Sequence, residues 1–377
     1  MAYILSEEGA AVAALAKAFA ENELQPYVEE YDRSGEFPME IYQKAFKLGF
    51  HKMELPKEFG GLGLDYITIS AALEEIGKID SGFASTLMAI TLALKPVLIG
   101  GTPEQKKWCM DRILPGAFAS FGLTEPGAGS DAAGCRTTAV RDGDEYVLNG
   151  TKCFITNSGV ASFYTIFAST DLSKGVKGLS AFLVDRNTPG LSIGKHEDKM
   201  GVRLSNTCEI ILEDVRVPAG NLLGKEGEGF KLAMATLNLA RPLTAAVAVG
   251  IAQRATEEAV KYAKERVAFG KPIAKLQGIA FKLAEMEIRT ESARQMVVHA
   301  FNLYQQHKPF TKEAAISKIH AGDAAMLNAT DAVQILGGYG YSREYPVEKL
   351  MRDAKIFQIW EGTSEVQKVT IAGQMLA

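Results

Sequence analysis

Met351-Arg-Asp-Ala-Lys-Ile-Phe-Gln-Ile-Trp-Glu-Gly-Thr-Ser-Glu-Val-Gln367 joins two runs of different character. Up to Trp360 the pattern is apolar and regular. After Gly362, Thr363-Ser364-Glu365 predicts a cap that opens a last helix from Val366 to Leu376. Between the two runs stands one carboxylate, Glu361, followed by glycine. Glycine lets the backbone approach a ligand, and the start of the next helix offers free N–H groups. Glu361 is therefore a candidate general base. A solvated turn glutamate fits the local spacing as well.

Outward from this stretch the chain divides in three. Residues 1–120 read as an N-terminal helical domain. Ala10 to Ala20 is alanine-rich at helical spacing, and Asp32 to Pro38 reads as a turn. Pro38 opens a helix carrying Ile41, Ala45 and Leu48. Leu55 to Gly63 is a glycine-rich loop without Rossmann spacing, and Ile67–Ile79 and Phe83–Leu94 read as buried helices. Residues 121–222 read as a compact antiparallel β domain. Asp142-Gly-Asp144 marks a hairpin, and strand-like runs follow at Ser162–Ser169, Gly178–Asp185 and Thr207–Val217. Residues 223–377 read as helical. Glu257 and Lys261 are spaced as an i,i+4 pair, and Ile316, Ile319, Met326, Ala329, Val333 and Leu336 form a stripe that ends at Gly337-Gly338.

The whole-chain numbers exclude some classes. The 377 residues carry a formal net charge of −4, against a nucleic-acid binder, which usually shows a basic stripe. The apolar run from Gly82 to Gly101 is interrupted by Ser85, Thr86, Thr91 and Lys95, against a membrane span. The N-terminal residues resemble neither a signal nor a transit sequence. Cys109, Cys135, Cys153 and Cys208 lack C-x-x-C spacing, so no metal site or disulfide framework is expected, and a cytoplasmic location is.

Four further stretches carry possible chemistry. Phe121 to Asp131 combines Pro126, Gly127 and Gly129 with Thr124 and Ser130, a tight loop able to present backbone donors, or a simple domain boundary. Lys152 to Ser158 offers Phe154 and Thr156 at a strand end. Arg266 to Pro272 places an arginine near Phe269, suited to capping a helix or to clamping a pyrophosphate. Gln334 to Gly340 permits close backbone approach or caps a helix.

Taken together these stretches resemble the acyl-CoA dehydrogenase flavoprotein family. The resemblance rests on Gly122-Leu-Thr-Glu-Pro-Gly-Ala-Gly-Ser-Asp131, Gln334-Ile-Leu-Gly-Gly-Tyr-Gly340, Pro346-Val-Glu-Lys-Leu-Met-Arg-Asp-Ala-Lys-Ile356 and Glu361-Gly-Thr-Ser-Glu365, and spans essentially the whole chain. It implies an α+β, mostly α fold: a helical N-terminal domain, a β-barrel-like middle domain and a C-terminal four-helix bundle. It implies FAD held by Phe121, Leu123, Thr124, Gly129 and Ser130, with Phe154, Ile155 and Thr156 over one ring face and Thr363 and Glu365 at the nucleotide end. Arg266, Phe269, Gln277, Gln334, Gly337 and Gly338 match positions that reach the FAD of a neighbouring subunit in a homotetramer built as a dimer of dimers. Ser130, Asn238, Arg241, Trp360 and Gly362 match the substrate side.

The resemblance also makes Glu361 the base. It would take the α-proton of a short- or medium-chain acyl-CoA while a hydride leaves the β-carbon for the flavin. The products are a trans-2-enoyl-CoA and electrons for an electron-transferring flavoprotein. In the family, the thioester oxygen is held by the base residue's own N–H and a ribityl hydroxyl. Some branches carry the base just before the arginine matched by Arg241; here that residue is Ala240, which cannot serve. An enoyl-CoA reductase running the same site backward and a non-catalytic flavin or acyl-CoA binder are the alternatives. Two residues depart from the family pattern. Trp360 replaces the usual tyrosine, beside the base. Lys95 lies in the apolar segment matching the pocket floor, where it is expected to snorkel to solvent or to meet a substrate carboxylate.

Overall fold

The computed structural model describes residues 3–376; Met1, Ala2 and Ala377, the ends of the expected terminal domains, lie outside the described residues. Helices come first: α1 (Glu7–Phe19), α2 (Val28–Ser34), α3 (Met39–Lys47), α4 (Tyr66–Ile79), α5 (Ser81–Gly100) and α6 (Pro103–Ile113). Their ends follow from local chemistry. Ser6, Asp65 and Asp80 cap α1, α4 and α5 through side-chain oxygens. Thr102 and Gln105 form a capping box with Pro103 in the first turn of α6. The Asp32–Pro38 turn begins later than expected: α2 runs on to Ser34, and Gly35, at φ 73°, ends it in the left-handed region.

The middle of the chain forms eight strands: β1 (Phe118–Gly122), β2 (Thr138–Asp142), β3 (Glu145–Thr156), β4 (Ala161–Ser169), β5 (Leu179–Asp185), β6 (Leu191–His196), β7 (Thr207–Pro218) and β8 (Leu222–Leu223). They pair in the order β6-β7-β3-β2-β4-β5-β8, with β1 beside β4. The sheet is mixed, not purely antiparallel as expected. β1 runs parallel to β4, and β2 meets β4 in parallel at Thr138–Ser169, because the chain leaving α6 enters alongside β4 in the same direction. The hairpin at Asp142–Asp144 turns on Gly143 at φ 62°.

The chain then returns to helix: α7 (Gly229–Glu265), the short ribbon β9 (Val267–Ala268) and β10 (Lys271–Pro272), then α8 (Gln277–Gln305), α9 (Thr311–Leu336), α10 (Val347–Ala354) and α11 (Ser364–Leu376). The buried face of α9 is built from Ala314, Ala321, Ala325, Ala329 and Ala332, not from the expected Ile316, Ile319, Met326 and Val333, which are only half-buried. Small side chains let α9 lie close against α7 and α8. Asn328 then ties the three together, donating to Met286 O (2.9 Å), Thr290 Oγ1 (2.9 Å) and Thr256 Oγ1 (3.2 Å). Glu257 pairs with Lys78 of α4 at 2.9 Å rather than with Lys261, since a neighbouring helix offers a less exposed cation.

Buried ions join the three regions. Arg294 of α8 forks onto Glu74 of α4 (2.7–3.1 Å). Lys349 of α10 bridges Asp80 and Asp353 at 2.6 Å each, and Asp353 also accepts from Val202 N in the middle region (2.7 Å). The segment leading to Glu361 is thus anchored to both other parts of the molecule. α5 and α7 are long and apolar enough to cross a membrane by length and composition. In this fold 83% and 72% of their most apolar windows are buried, which makes them core helices.

Candidate active site

Glu361 sits on a strained turn. Its φ is 52°, left-handed for a residue with a Cβ, and Gly362 follows at φ 91°. Gln367 Nε2 donates to the carbonyls of Glu361 (3.0 Å) and Gly362 (3.1 Å), and buried Lys318 donates to Gly362 O (2.7 Å). A Cβ on Gly362 would lie 2.3 Å from Gln367 Nε2, so glycine is required there. Thr363 Oγ1 accepts from Val366 N (3.2 Å) and starts α11 as the sequence predicts. The turn aims the carboxylate toward α7, where the Thr244 hydroxyl donates to Glu361 Oε2 (2.7 Å).

Burial pushes the Glu361 carboxyl above the ordinary carboxylate range. The Thr244 hydrogen bond and the charges of Lys318, Lys95 and Arg241 pull the other way without cancelling it. Burial in turn brings Lys318 down to about 8, against the pull of Glu361. Ala240 is fully buried.

A cavity of about 390 Å³ opens beside Glu361. It gathers twelve of the expected residues: Phe121, Leu123, Thr124, Gly129, Ser130, Phe154, Ile155, Thr156, Arg241, Trp360, Glu361 and Gly362. The Phe154 placement comes from a bulge. β3 pairs Lys152 with Ile210 but Ile155 with Cys208, which puts one extra residue on β3. Phe154 takes φ 56° and is 66% exposed, its ring on the cavity wall.

The loop opposite is held by a buried ion pair the sequence reading missed. Lys152 donates to Glu125 Oε1 (2.7 Å) and to Leu123 O (3.2 Å); Glu125 also accepts from the backbone N–H groups of Arg136 and Thr137. Burial alone would raise the Glu125 carboxyl. Lys152, with hydrogen bonds from Cys135 and Thr137, overrides this and brings it down to about 2.

The walls suit a planar, largely apolar ring system with a polar edge: aromatic and aliphatic faces, two hydroxyls, and an open glycine loop. Arg241 Nε and Trp360 Nε1 are buried without a partner, as expected of donors waiting for a ligand. Trp360 packs edge-on against Phe357 at 5.0 Å.

The remaining expected residues lie elsewhere. Arg266, Gly337 and Gly338 line a second cavity of about 610 Å³, with Tyr262 and Tyr339. Phe269 (89% exposed, φ 53°), Gln277 and Gln334 are exposed and line neither cavity. Asn238 accepts from Arg241 (2.8 Å) and donates to Thr311 (3.2 Å), behind the cavity wall rather than on it. Glu365 lies exposed in the first turn of α11.

Both expectations for Lys95 are overturned. It is 3% exposed and paired with Glu54 at 2.5 Å, so it neither reaches solvent nor is free for a substrate carboxylate. Thr244, Lys318, Gln367, Glu125 and Lys152 are functional neighbours that spacing alone could not flag, since each meets its partner across the fold. An unusual lysine inside the apolar β3 pattern was the one available signal for Lys152.

Comparison with known proteins agrees with this geometry. The patterns described as the N-terminal, middle and C-terminal domains of acyl-CoA dehydrogenase match residues 6–117, 120–215 and 227–376. The chain is 48% identical to the short-chain specific acyl-CoA dehydrogenase of Megasphaera elsdenii, covering 96% of each sequence. It is also 48% identical to the acryloyl-CoA reductase (NADH) of Anaerotignum propionicum, covering all of this chain and 96% of the other. The solved butyryl-CoA dehydrogenase of Megasphaera elsdenii superimposes with a TM-score of 0.97 at 46% identity over the full length of both chains. So does a chain from work on the electron transferring flavoprotein of Acidaminococcus fermentans and flavin-based electron bifurcation, with the same values. From the Glu361 turn to the bulged strand facing it, the chain belongs to the acyl-CoA dehydrogenase family.

Proposed function

We infer that the protein is an FAD-dependent acyl-CoA dehydrogenase, converting a short- or medium-chain acyl-CoA to the trans-2-enoyl-CoA. The observation that carries this reading is Glu361, held on a constrained turn against the cavity, with a carboxyl raised by burial. The α C–H of a thioester is a weak acid. A carboxylate whose pKa is lifted toward the working pH is a stronger base for it. Thr244 occupies Oε2, which leaves Oε1 to take the proton. The Glu361 N–H makes no hydrogen bond among the described residues and can donate to the thioester oxygen as enolate charge develops. Phe121, Leu123, Thr124 and the Phe154–Thr156 bulge would hold the flavin, and Ser130, Arg241 and Trp360 the CoA thioester side. When bound, FAD accepts the β-hydrogen as hydride, and an electron-transferring flavoprotein receives the electrons.

Anaerobic titration with butyryl-CoA, followed by flavin absorbance, tests this. Bleaching is expected, and loss of at least about 10³-fold in its rate in Glu361→Gln. No bleaching by any saturated thioester overturns the direction. The reductase name borne by a relative at 48% identity favours the reverse reaction as the second reading. Reoxidation of chemically reduced protein by an enoyl-CoA would identify it.

The placement of Arg266, Gly337 and Gly338 at a cavity apart from Glu361 supports a flavin site completed by a second subunit, within a homotetramer. Four free, buried cysteines support a cytoplasmic setting.

A further inference from the structure

Behind the Glu361 cavity lies a second, closed space of about 10 Å³, lined by Phe50, Met53, Glu54, Leu87, Met88 and Thr91 among others. Met88 lines both spaces and is the partition between them. It is also near the reacting end: Thr244 donates to Glu361 Oε2 at 2.7 Å and lies 3.6 Å from Met88 Sδ. An acyl chain whose α-carbon faces Glu361 and whose tail runs inward along α5 therefore reaches Met88 first and Glu54 next.

What it meets there is closed to it. Glu54 Oε1 accepts from the Tyr66 hydroxyl (2.8 Å), and Lys95 Nζ lies 2.5 and 2.7 Å from the two carboxylate oxygens. Both ions are nearly inaccessible, at 3% and 7% side-chain exposure. Tyr66 is clamped in turn, stacked on Phe301 at 4.8 Å and edge-on to Tyr304 at 5.2 Å. The Glu54 loop is pinned by Leu62 N to Lys52 O (3.0 Å) and Leu64 N to Met53 O (3.0 Å). Four segments thus converge on one charged pair. Ten cubic ångströms is about the room of one water, too little for a substrate carboxylate or further methylenes. Pushing an apolar tail in would part ions that have no other solvation.

We propose that the buried Glu54–Lys95 pair, backed by Tyr66, is the stop that limits the acyl cavity to short chains. This rests on the proposed acyl-CoA reading and names its substrate range. A charged floor is a sharper stop than an apolar one. Side chains such as Met88 can swing to admit another carbon, whereas the ion pair must be broken.

The test compares binding of butyryl-CoA and octanoyl-CoA by calorimetry, in flavin-loaded protein carrying Glu361→Gln so that no turnover intervenes. Replacing the pair together, Glu54→Leu with Lys95→Met, keeps volume and leaves no orphan charge, the change that buried pairs tolerate best. The octanoyl-to-butyryl affinity ratio is expected to rise at least tenfold. Met88→Ala alone, which opens the partition and keeps the pair, is expected to move the ratio less than threefold. An unchanged ratio in the double variant overturns the proposal. So does a rise with Met88→Ala equal to that of the double variant, which would make the methionine the stop; this arm reads out even should the double variant fail to fold. Binding without flavin bleaching in the protein with Glu361 intact would count against dehydrogenation and leave the floor standing.

Discussion

At the scale of single residues, the site turns on how Glu361 is held ionised at a working pH. Its carboxyl is raised by burial, so ionisation costs folding stability. That stability is complete below the ordinary carboxylate value and declines as pH rises through the higher folded one. Activity runs the other way, since only the ionised form is a base. The kcat/KM profile is therefore expected to rise with pH through a midpoint above the ordinary carboxylate range. Thr244→Val removes a hydrogen bond that favours the charged form, and should carry that midpoint upward by roughly one pH unit. An unmoved midpoint would mean the hydroxyl serves only to pack. Lys318→Met should shift the midpoint the same way, because it removes a buried cation acting on the same carboxylate.

Among elements, the bulge in β3 and the loop of residues 122–131 make opposite walls of one cavity, and the Glu125–Lys152 pair locks one to the other. Removing only the lysine leaves a carboxylate, 5% exposed, without its counter-ion. Lys152→Met is expected to lower stability by roughly 3 kcal/mol or more, read as an earlier thermal or urea transition and faster flavin release. Glu125→Gln with Lys152→Met should recover much of it. Equal stability of the wild type and Lys152→Met would show that the pair does not hold the loop. The pH sense here is opposite to that of Glu361. The folded Glu125 value lies near 2, so its contribution is full above the ordinary carboxylate value and is lost as pH falls toward 2.

For the molecule as a whole, the two cavities are the informative feature. One chain presents Glu361 and the flavin-facing strand at one cavity, and Arg266 with the Gly337–Gly338 turn at another. If a second subunit brings these together, Arg266→Ala should weaken flavin retention about tenfold or more while leaving the secondary structure intact. Light scattering on the holoprotein should return a mass near four chains. A monomer that keeps FAD and turns over would remove the need for a partner.

The order of helices, sheet and helices could be read directly, as could the capped helix after Glu361, the Asp142–Asp144 hairpin and the loop at 122–131. These are set by caps, breaker residues and alternation acting over a few neighbouring positions, so a linear pattern carries them. The tight α9 interface was misjudged because large apolar residues draw attention, while close helix packing selects alanine. The β3 bulge that exposes Phe154 was hidden, because it depends on the register with β7. Lys95 was the plainest case. An isolated lysine in an apolar helix has three physical outcomes: snorkelling, meeting a ligand, or meeting a buried carboxylate. Only the fold that brings Glu54 to it, 41 residues away in the chain, decides among them. Thr244 reaches Glu361 across 117 residues for the same reason. Local chemistry wrote the elements and the base into the sequence, whereas charge pairing and burial depend on distances that exist only after packing.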